Sequence, residues 1–380
     1  MATALLGDQR ALFAIPREVA YFNCAYMSPL LQAVEAAGTE GLRRKLSPWE
    51  ITASDFFTGP EQARERFARL IGADAGDIAV VPAASYGIST AALNIEVARG
   101  QAIVIAAEEF PSGVLVWRDV AEQAGARIVT VERPANGDWT SAMEDAIGAD
   151  TAVVVASQTH WLCGGYTDLV RIGARCRSVG AALVLDVTQS AGALPIDVRA
   201  IDPDFLVAAA YKWLLGPYSV SFMYVAPRWH EGRPLEAAWT SRAGAEDFRR
   251  LAEYASDYQP GARRFDAGER SNFAALPAAI AALDQLLSWT PERISATIGA
   301  SADRIIEAVA PLGLSALPPA VRSPHYLGLS AKVLPDDLPA RLARRNVYLS
   351  ARGDRLRLSP HLYNDDADIE RLVAALKDEL

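Results

Sequence analysis

Cysteine is scarce in this sequence, and the few cysteines form no recognisable cysteine-based site. The three residues, Cys24, Cys163 and Cys176, include no Cys-x-x-Cys pair. An odd and widely spaced set of this kind predicts neither a disulfide framework nor a thiolate zinc site, and we predict no metal site. Because proteins of reducing compartments keep their thiols free, we expect a cytoplasmic protein.

Positive charge is also in deficit. The chain has 37 Lys and Arg residues against 46 Asp and Glu residues, so its formal net charge is −9. Nucleic-acid backbones and anionic membranes attract clustered positive charge, so neither is expected as a main partner. The sequence begins without the basic region and the apolar run of a signal peptide. Its most apolar stretch, residues 205–226, contains Lys212, which a membrane span tolerates poorly, and we expect a soluble protein.

Short runs rich in β-forming residues alternate with helix-like segments between about residue 75 and residue 226. The seven runs are residues 78–81, 102–107, 126–131, 151–157, 181–187, 205–210 and 219–226. Several are apolar without alternation, which is typical of strands covered on both faces of a sheet. The pattern predicts an α/β fold with a mostly parallel, doubly wound, seven-stranded sheet between helices. Ligands of such sheets bind at the carboxyl ends of the strands.

Helices are predicted around this core from their caps and apolar spacing. Pro60 at the first position and Gly72 as the stop predict a helix over residues 60–71. Further helices are predicted over residues 166–179, over residues 271–289, and after the capping residues Asn364 and Asp365. Because 380 residues exceed what one core usually organises, we expect three parts: an N-terminal segment (1–20), a large domain (21–285) and a smaller α+β domain (286–380).

Lys212 is the strongest single indication of chemistry. It lies in the run FLVAAAYKWLLGPYSV, which carries no other charge. Burial of an unpaired ammonium is costly and lowers the lysine pKa. A lysine in this setting is explained if it is held as a neutral nucleophile or is consumed in a Schiff base. The alternative is a lysine at a strand end that extends to solvent or pairs with a carboxylate.

Asp186 lies near the end of the apolar run 181–187, and Gln189 follows three residues later. A carboxylate and a second polar side chain at a strand's carboxyl end can contact two atoms of one planar ligand. Combined with Lys212, this arrangement predicts pyridoxal phosphate, which the lysine would hold as an internal aldimine and whose pyridine nitrogen the aspartate would pair with. Gln189 would then lie near the phenolic oxygen. The alternative for Asp186 is an ordinary cap or turn aspartate.

The motifs around these residues resemble those of class V aminotransferases. The central ones are Asp186-Val-Thr-Gln189, Leu194-Pro-Ile-Asp-Val198 and Tyr211-Lys-Trp-Leu-Leu-Gly-Pro217. Others are Tyr21-Phe-Asn23, Ser28-Pro29, Phe265-Asp-Ala-Gly268, Ser271-Asn272 and Arg357-Leu-Ser-Pro-His-Leu-Tyr-Asn364. This family is the branch of fold-type I pyridoxal-phosphate enzymes that contains cysteine desulfurases, selenocysteine lyases, kynureninases and isopenicillin N epimerase. The resemblance implies that fold and that cofactor.

The resemblance also assigns residues to the cofactor. Beyond Lys212, the expected cofactor-binding residues are Ser85, Tyr86, Phe110, Gln158, Asp186, Gln189, Tyr211 and Ser271. Ser85 opens a helix, whose free N–H groups and dipole favour a phosphate; the alternative is an ordinary N-cap serine. Phe110 would stack on the cofactor ring, or is a core phenylalanine. Ala209 replaces a serine that commonly binds phosphate in the family, so we expect a weaker phosphate site unless Ser271 of a neighbouring subunit compensates.

The carboxylate of an amino-acid substrate is expected to bind an arginine near the C-terminus. Arg352 aligns with the arginine that has this role in the family, and a guanidinium offers planar bidentate geometry. Arg355 and Arg357 are close in sequence and leave the assignment open. An exposed strand of alternating arginines is the alternative.

Three further residues are expected in the substrate pocket, and a second subunit is expected to contribute. The resemblance places Asn23 near the substrate. His160 and Trp161 follow Gln158 on the same predicted loop and are expected to shape the side-chain pocket, although a buried histidine with satisfied hydrogen bonds also explains His160. The family builds its active site at a dimer interface. We therefore expect a homodimer in which residues 261–273, including Arg270 and Ser271, reach the partner's pocket.

The resemblance implies a reaction at the α-carbon of an amino acid, with Lys212 as the base that moves the α-proton. Persulfide-forming cysteine desulfurases need a thiolate on the loop at 349–355, which contains no cysteine here, so that reaction is disfavoured. We rank transamination first, and a carbon–sulfur or other carbon–heteroatom lyase or an epimerase second. A non-catalytic homologue that acts as a partner subunit is an alternative of another class. A nucleotide-binding protein is disfavoured because no glycine-rich phosphate motif follows the first strand.

Overall fold

The computed structural model describes residues 3–380. Its β-strands within this range are β1 (Ala20–Tyr21), β2 (Ile78–Val81), β3 (Ala102–Ala106), β4 (Arg127–Val131), β5 (Thr151–Ala156), β6 (Ala182–Asp186), β7 (Phe205–Ala209), β8 (Ser221–Val225), β9 (Leu327–Leu329), β10 (Val347–Tyr348), β11 (Ser350–Arg352) and β12 (Arg355–Leu358). Its α-helices within the same range are α1 (Gln32–Arg43), α2 (Asp55–Ile71), α3 (Ala84–Asn94), α4 (Leu115–Ala124), α5 (Trp139–Ala146), α6 (Leu169–Val179), α7 (Val198–Ile201), α8 (Ala275–Trp289), α9 (Pro291–Val309), α10 (Leu338–Ala343) and α11 (Asp366–Glu379).

One central sheet contains the strands from β2 to β8, in the order β2-β8-β7-β6-β5-β3-β4. Its neighbouring strands are parallel, except that β8 runs antiparallel to both β2 and β7. Strands β2, β3, β7 and β8 are buried along their whole length, because other elements cover both faces of the sheet. The predicted α/β fold with a mostly parallel seven-stranded sheet is confirmed, and each of the seven predicted runs contains one strand.

The helices form where they were predicted, but three of them begin elsewhere. Helix α2 begins at Asp55, so Pro60 lies inside it and not at its first position, while Gly72 ends it as expected. Helix α6 begins at Leu169 because the Asp168 carboxylate caps the N–H groups of the next turn. Helix α8 begins only at Ala275, and helix α11 begins after its predicted cap, Asp365. Among residues 3–380, no helix is both long enough and apolar enough to cross a membrane.

The C-terminal part of the chain builds its own hydrophobic core. Strands β11, β12 and β9 form an antiparallel sheet, and its buried residues pack with those of α9, α10 and α11. Strand β1 pairs in parallel with β10, which places Ala20 and Phe22 in this second core. The sequence groups residues from 21 onward with the large domain, whereas the structure joins this short N-terminal strand to the C-terminal part. Strand pairing between distant segments, which a local pattern does not show, causes the difference.

A buried ion pair anchors the segment before α8 to the central sheet. Arg64 of α2 donates from Nη1 to Asp266 Oδ1 at 2.9 Å, and both side chains are fully buried. Asp266 Oδ1 also accepts the Val80 N–H of β2 at 2.8 Å. The pair is part of a network, because Glu61 also contacts Arg64 at 2.9 Å and Arg270 also contacts Asp266 at 3.1 Å, and loss of a member of such a buried network is destabilising. This contact therefore determines where residues 266–273 lie relative to the sheet.

Candidate active site

A cavity of about 360 Å³ opens at the carboxyl ends of the parallel strands. Its walls come from the segments after β2, β3, β5, β6 and β7, and from the start of β8, which runs in the opposite direction. The predicted site residues in its wall are Ser85, Phe110, Asp186, Gln189, Tyr211 and Lys212. The sheet topology thus brings together side chains that are far apart in the sequence, at the edge where ligands of such sheets bind.

Lys212 lies in the turn after β7 and is only 8% exposed. Its Nζ is 5.4 Å from the centre of the Phe110 ring and 5.5 Å from that of Tyr211. Burial lowers the pKa of Lys212 to about 8, and the Asp186 carboxylate partly opposes this effect. The side chain therefore does not extend to solvent, and its neutral amine is accessible near physiological pH.

Asp186 and Gln189 both line the cavity, and the protein holds each of them in place. Asp186 Oδ1 accepts the N–H of Thr188 at 2.9 Å. The Gln189 amide donates to the Ala25 carbonyl oxygen at 3.2 Å and accepts the indole N–H of Trp213 at 3.0 Å. Gln189 retains one N–H and one lone pair for a ligand.

Another part of the cavity wall presents hydroxyl groups and the start of a helix. Ser85 lies in the first turn of α3, where N–H groups are free of intrahelical partners. The Ala209 N–H donates to Thr188 Oγ1 at 3.1 Å. Ser219 and Ser221, which the sequence did not single out, also line the wall because antiparallel β8 begins at this edge. The amine of Lys212, a carboxylate, these hydroxyls and a helix N-terminus suit an aldehyde, a ring nitrogen and a phosphate, so the residues fit pyridoxal phosphate.

A second cavity, of about 240 Å³, adjoins the first and also contains Lys212 in its wall. Arg352 and Arg357 both line it. Arg357 is 4% exposed, its guanidinium lies 5.5 Å from the centre of the Trp161 ring, and its Nε has no hydrogen-bond partner within residues 3–380. Arg352 is exposed and donates to the carbonyl oxygen of Ala351. The geometry therefore favours Arg357 over the predicted Arg352 as the carboxylate ligand, because a buried guanidinium with a free donor binds an anion more strongly.

The sequence of this chain matches a known protein family. A family model described as "Aminotransferase class-V" matches residues 49–372. The match spans the central sheet, both cavities' principal walls and most of the C-terminal part. The chain belongs to the class-V aminotransferase family. This membership confirms the resemblance stated from the sequence, and it supports pyridoxal phosphate as the cofactor.

Relatives of this class-V chain have several different activities. The uncharacterized aminotransferase YcbU of Bacillus subtilis strain 168 is 26% identical over 316 residues, which cover 82% of each protein. A kynureninase of Deinococcus radiodurans is 28% identical over 291 residues, which cover 73% of this chain and 68% of that one. The apo structure of a cysteine desulfurase from Thermococcus onnurineus NA1 has a TM-score of 0.86 at 18% identity and covers 99% of both chains, which confirms the fold-type I architecture.

Two predicted cofactor residues of this class-V chain face away from the cavity. After β5, Ser157 and Thr159 line the wall, whereas the amide of Gln158 between them donates to the Pro195 carbonyl oxygen at 3.4 Å. Side chains of an extended chain alternate between two faces, so Gln158 points away from the cavity that Ser157 and Thr159 line. Tyr86 follows Ser85 in helix α3 but packs against the hydrophobic core instead of lining the cavity.

Three other predicted residues also lie outside the cavity walls. His160 is buried, stacks on Trp139 with ring centres 4.6 Å apart, and contacts the Ala107 carbonyl oxygen at 3.0 Å, so it supports the wall from behind. Asn23 forms a backbone bridge with Ser359, the residue that follows β12. Asn23 lines neither cavity, whereas Ala25, two residues later, lines the second one. Ser271 is buried before α8 and does not line either cavity of its own chain.

Glu109 is a cavity residue to which the sequence assigned no role. Its carboxylate accepts the Ser157 hydroxyl at 2.9 Å and the N–H of Phe110 at 2.7 Å. Burial raises the pKa of Glu109, and the charge of Asp186 acts in the same direction. The only sequence signal for this residue is its position directly after β3, at the edge where ligands bind.

The depressed pKa of Lys212 predicts how cofactor uptake depends on pH. Only the neutral amine attacks an aldehyde, so the uptake rate should rise with pH and reach its midpoint near pH 8. Asp186→Asn should move the midpoint to lower pH, because the carboxylate favours the charged amine. Stopped-flow absorbance after pyridoxal phosphate is mixed with cofactor-free protein measures both values, with a lysine peptide of pKa about 10.4 as the control. A midpoint close to that of the peptide would contradict the prediction.

Proposed function

We propose that this class-V protein is a pyridoxal-phosphate-dependent enzyme that acts at the α-carbon of an amino acid, and specifically that it is an aminotransferase. The observation that carries the proposal is a buried lysine with a pKa near 8 in the same cavity wall as Asp186. When bound, pyridoxal phosphate supplies an aldehyde that bonds to amines and a ring that withdraws electrons from the α-carbon.

Five residues of the two cavities have a task in this proposal. Lys212 holds the cofactor and, as a neutral amine, moves the α-proton of the substrate. Asp186 keeps the ring nitrogen protonated, and Ser85 donates to the phosphate at the start of α3. Phe110 packs against the ring, and Arg357 orients the substrate by its carboxylate. Both tasks of Lys212 need a site from which water is largely excluded. The low exposure of Lys212 supports such a site.

A homodimer is part of the proposal. Arg270 is 4% exposed, and its Nη1 and Nη2 atoms make no hydrogen bond within residues 3–380. Its Nε lies 3.1 Å from Asp266 Oδ2. Buried guanidinium donors are rarely left unsatisfied, so a group from a second subunit or its cofactor is a natural partner. We propose that residues 261–273, with Ser271, complete the neighbouring pocket.

The cysteines support two parts of the proposal: persulfide-forming desulfuration is disfavoured, and the protein resides in a reducing, cytoplasmic compartment. All three are free and buried, and they are absent from the walls of both cavities. Burial strongly raises the pKa of Cys24, so its thiol is unreactive. Residues 349–355, where the family's desulfurases carry their thiolate, form the hairpin of β11 and β12 without a cysteine.

Product analysis separates transamination from the lyase and epimerase alternatives. The cofactor-loaded protein is incubated with single amino acids, first without and then with a keto-acid acceptor. An aminotransferase should form at most one equivalent of keto acid per subunit until the acceptor is added, and should release no ammonia. Continuous ammonia release without an acceptor would assign a lyase, and loss of optical rotation without keto acid would assign an epimerase. Lys212→Ala protein serves as the blank.

A further inference from the structure

The second cavity opens directly beside the amine of Lys212. The two cavities adjoin at the side chains of Phe110, Trp161, Gln189, Tyr211, Lys212 and Tyr218, which line both of them. The second cavity continues past these residues to Ala25, Tyr26 and Met27 and to the two arginines. A substrate whose amino group reaches Lys212 and whose carboxylate reaches Arg357 must therefore place its side chain among the remaining wall residues.

Aromatic rings make up most of that remaining wall. Trp161 is held rigidly, because its indole N–H donates to the carbonyl oxygen of Glu108 and the Phe110 ring packs edge-on against it at 5.5 Å between centres. Its polar atom is thus already used, and the Arg357 guanidinium lies over the ring at 5.5 Å from its centre, so the ring offers a ligand its remaining apolar surface. Tyr26 and Tyr218 are 54% and 64% exposed, so both rings keep free surface for a ligand, and Tyr218 also packs against Tyr211 at 4.7 Å between ring centres.

The charges around the second cavity are all positive. Lys212, Arg352 and Arg357 line it, and among residues 3–380 no Asp or Glu does. A cationic side chain would therefore meet like charges in a partly desolvated site, which is unfavourable. An anionic side chain would find only Arg352 once Arg357 holds the α-carboxylate, and Arg352 is exposed and screened by solvent. Rings of a neutral side chain match the larger part of the wall.

We propose that the second cavity binds the side chain of an aromatic amino acid, with the face of Trp161 as its main contact. The inference rests on the proposed function, since it takes the amino group to react at Lys212. It assigns the substrate class of that site: phenylalanine, tyrosine or tryptophan rather than small, acidic or basic amino acids.

Calorimetric titration of the cofactor-loaded protein with six amino acids tests the inference through binding alone. The ligands are L-phenylalanine, L-tyrosine, L-tryptophan, L-alanine, L-aspartate and L-lysine. At least one aromatic amino acid should bind about 10-fold or more tightly than alanine, which corresponds to the stacking and burial of one ring. Trp161→Ala should remove most of this preference while changing the alanine affinity less than about 3-fold. Trp161→Phe should retain most of it.

Two controls keep a failure of this inference apart from a failure of the proposed function. Trp49→Ala removes an exposed tryptophan that lines neither cavity and should leave the preference unchanged. Cofactor uptake is measured by absorbance before any amino acid is added, and a wild-type protein that takes up none overturns both proposals. Loaded protein that binds aspartate or lysine at least as tightly as the aromatic ligands overturns the aromatic assignment alone. An aromatic preference that survives in Trp161→Ala overturns the role of Trp161.

Discussion

Replacement of Lys212 by alanine should lower the turnover rate by about 1,000-fold or more, because one side chain both holds the cofactor and moves a proton. The fold should survive, since the substitution removes a buried amine and leaves behind no unpaired charge of comparable cost. Two measurements check the result: steady-state rates with the substrate found by product analysis, and mass spectrometry of the borohydride-reduced protein. The wild type should carry one pyridoxyl group on the peptide that contains Lys212.

The scarcity of lysine makes this labelling experiment unusually clear. The chain has four lysines, and the other three, Lys45, Lys332 and Lys377, are exposed. The Lys45→Ala, Lys332→Ala and Lys377→Ala variants are matched controls and should keep both the label and the activity. A pyridoxyl group on one of these lysines in the native protein would refute the assignment of Lys212. Loss of the label together with loss of helical circular dichroism in Lys212→Ala would show instead that the variant is unfolded, and Lys212→Arg would then replace it.

Arg357→Ala should raise the KM for an amino-acid substrate by roughly 10- to 100-fold, the expected cost of losing a charge-assisted pair with the carboxylate. The effect should fall mainly on KM, because the guanidinium binds a part of the substrate that does not react. Arg357→Lys keeps the charge but loses the bidentate geometry, so it should recover only part of the affinity. Initial rates over a range of substrate concentrations measure KM for both variants and for the wild type.

Arg352→Ala is the matched control for that prediction. Its guanidinium is exposed and bonded to its own neighbour, so its loss should change KM less than about 3-fold, as for other solvent-screened charges. The comparison of the two alanine variants also decides whether Arg352, chosen from the sequence, or Arg357, chosen from the structure, binds the substrate carboxylate. A large effect of Arg352→Ala with a small effect of Arg357→Ala would restore the assignment made from the sequence.

The sequence predicted the sheet well because the signal for a buried strand is local. The runs around residues 78–81 and 205–210 are apolar without interruption, and the structure buries both. Helix starts were predicted less well. Pro60 looked like a first helical residue because proline is common there, yet α2 begins at Asp55. Helix α8 begins after Ser271 because the Asn272 side chain accepts the N–H of Ala275 at 2.8 Å.

Within the site, the sequence predicted correctly which segments form the cavity wall. It was less successful in predicting which side chains of those segments face the cavity. It found the segment after β5 but chose Gln158, whereas Ser157 and Thr159 face the cavity. It found the C-terminal arginines but preferred Arg352 to Arg357. At residues 157–159, neighbouring positions of an extended chain point to opposite sides, so a shift of one residue reverses the choice. Arg352 and Arg357 lie on the paired strands β11 and β12 and both line the second cavity, but only Arg357 is buried.

The sequence by itself determined the fold class and the family, and it selected Lys212 and Asp186, which line one cavity, because apolar runs, spaced motifs and an isolated lysine are all properties of short segments. Only the tertiary structure decided which arginine is buried beside that lysine, which serines begin antiparallel β8 at the cavity, and that aromatic rings form the wall of the second cavity. The physical reason is that the burial of a side chain, and the cavity toward which it points, depend on contacts between distant segments. Those contacts exist only once the sheet has brought its strand ends together.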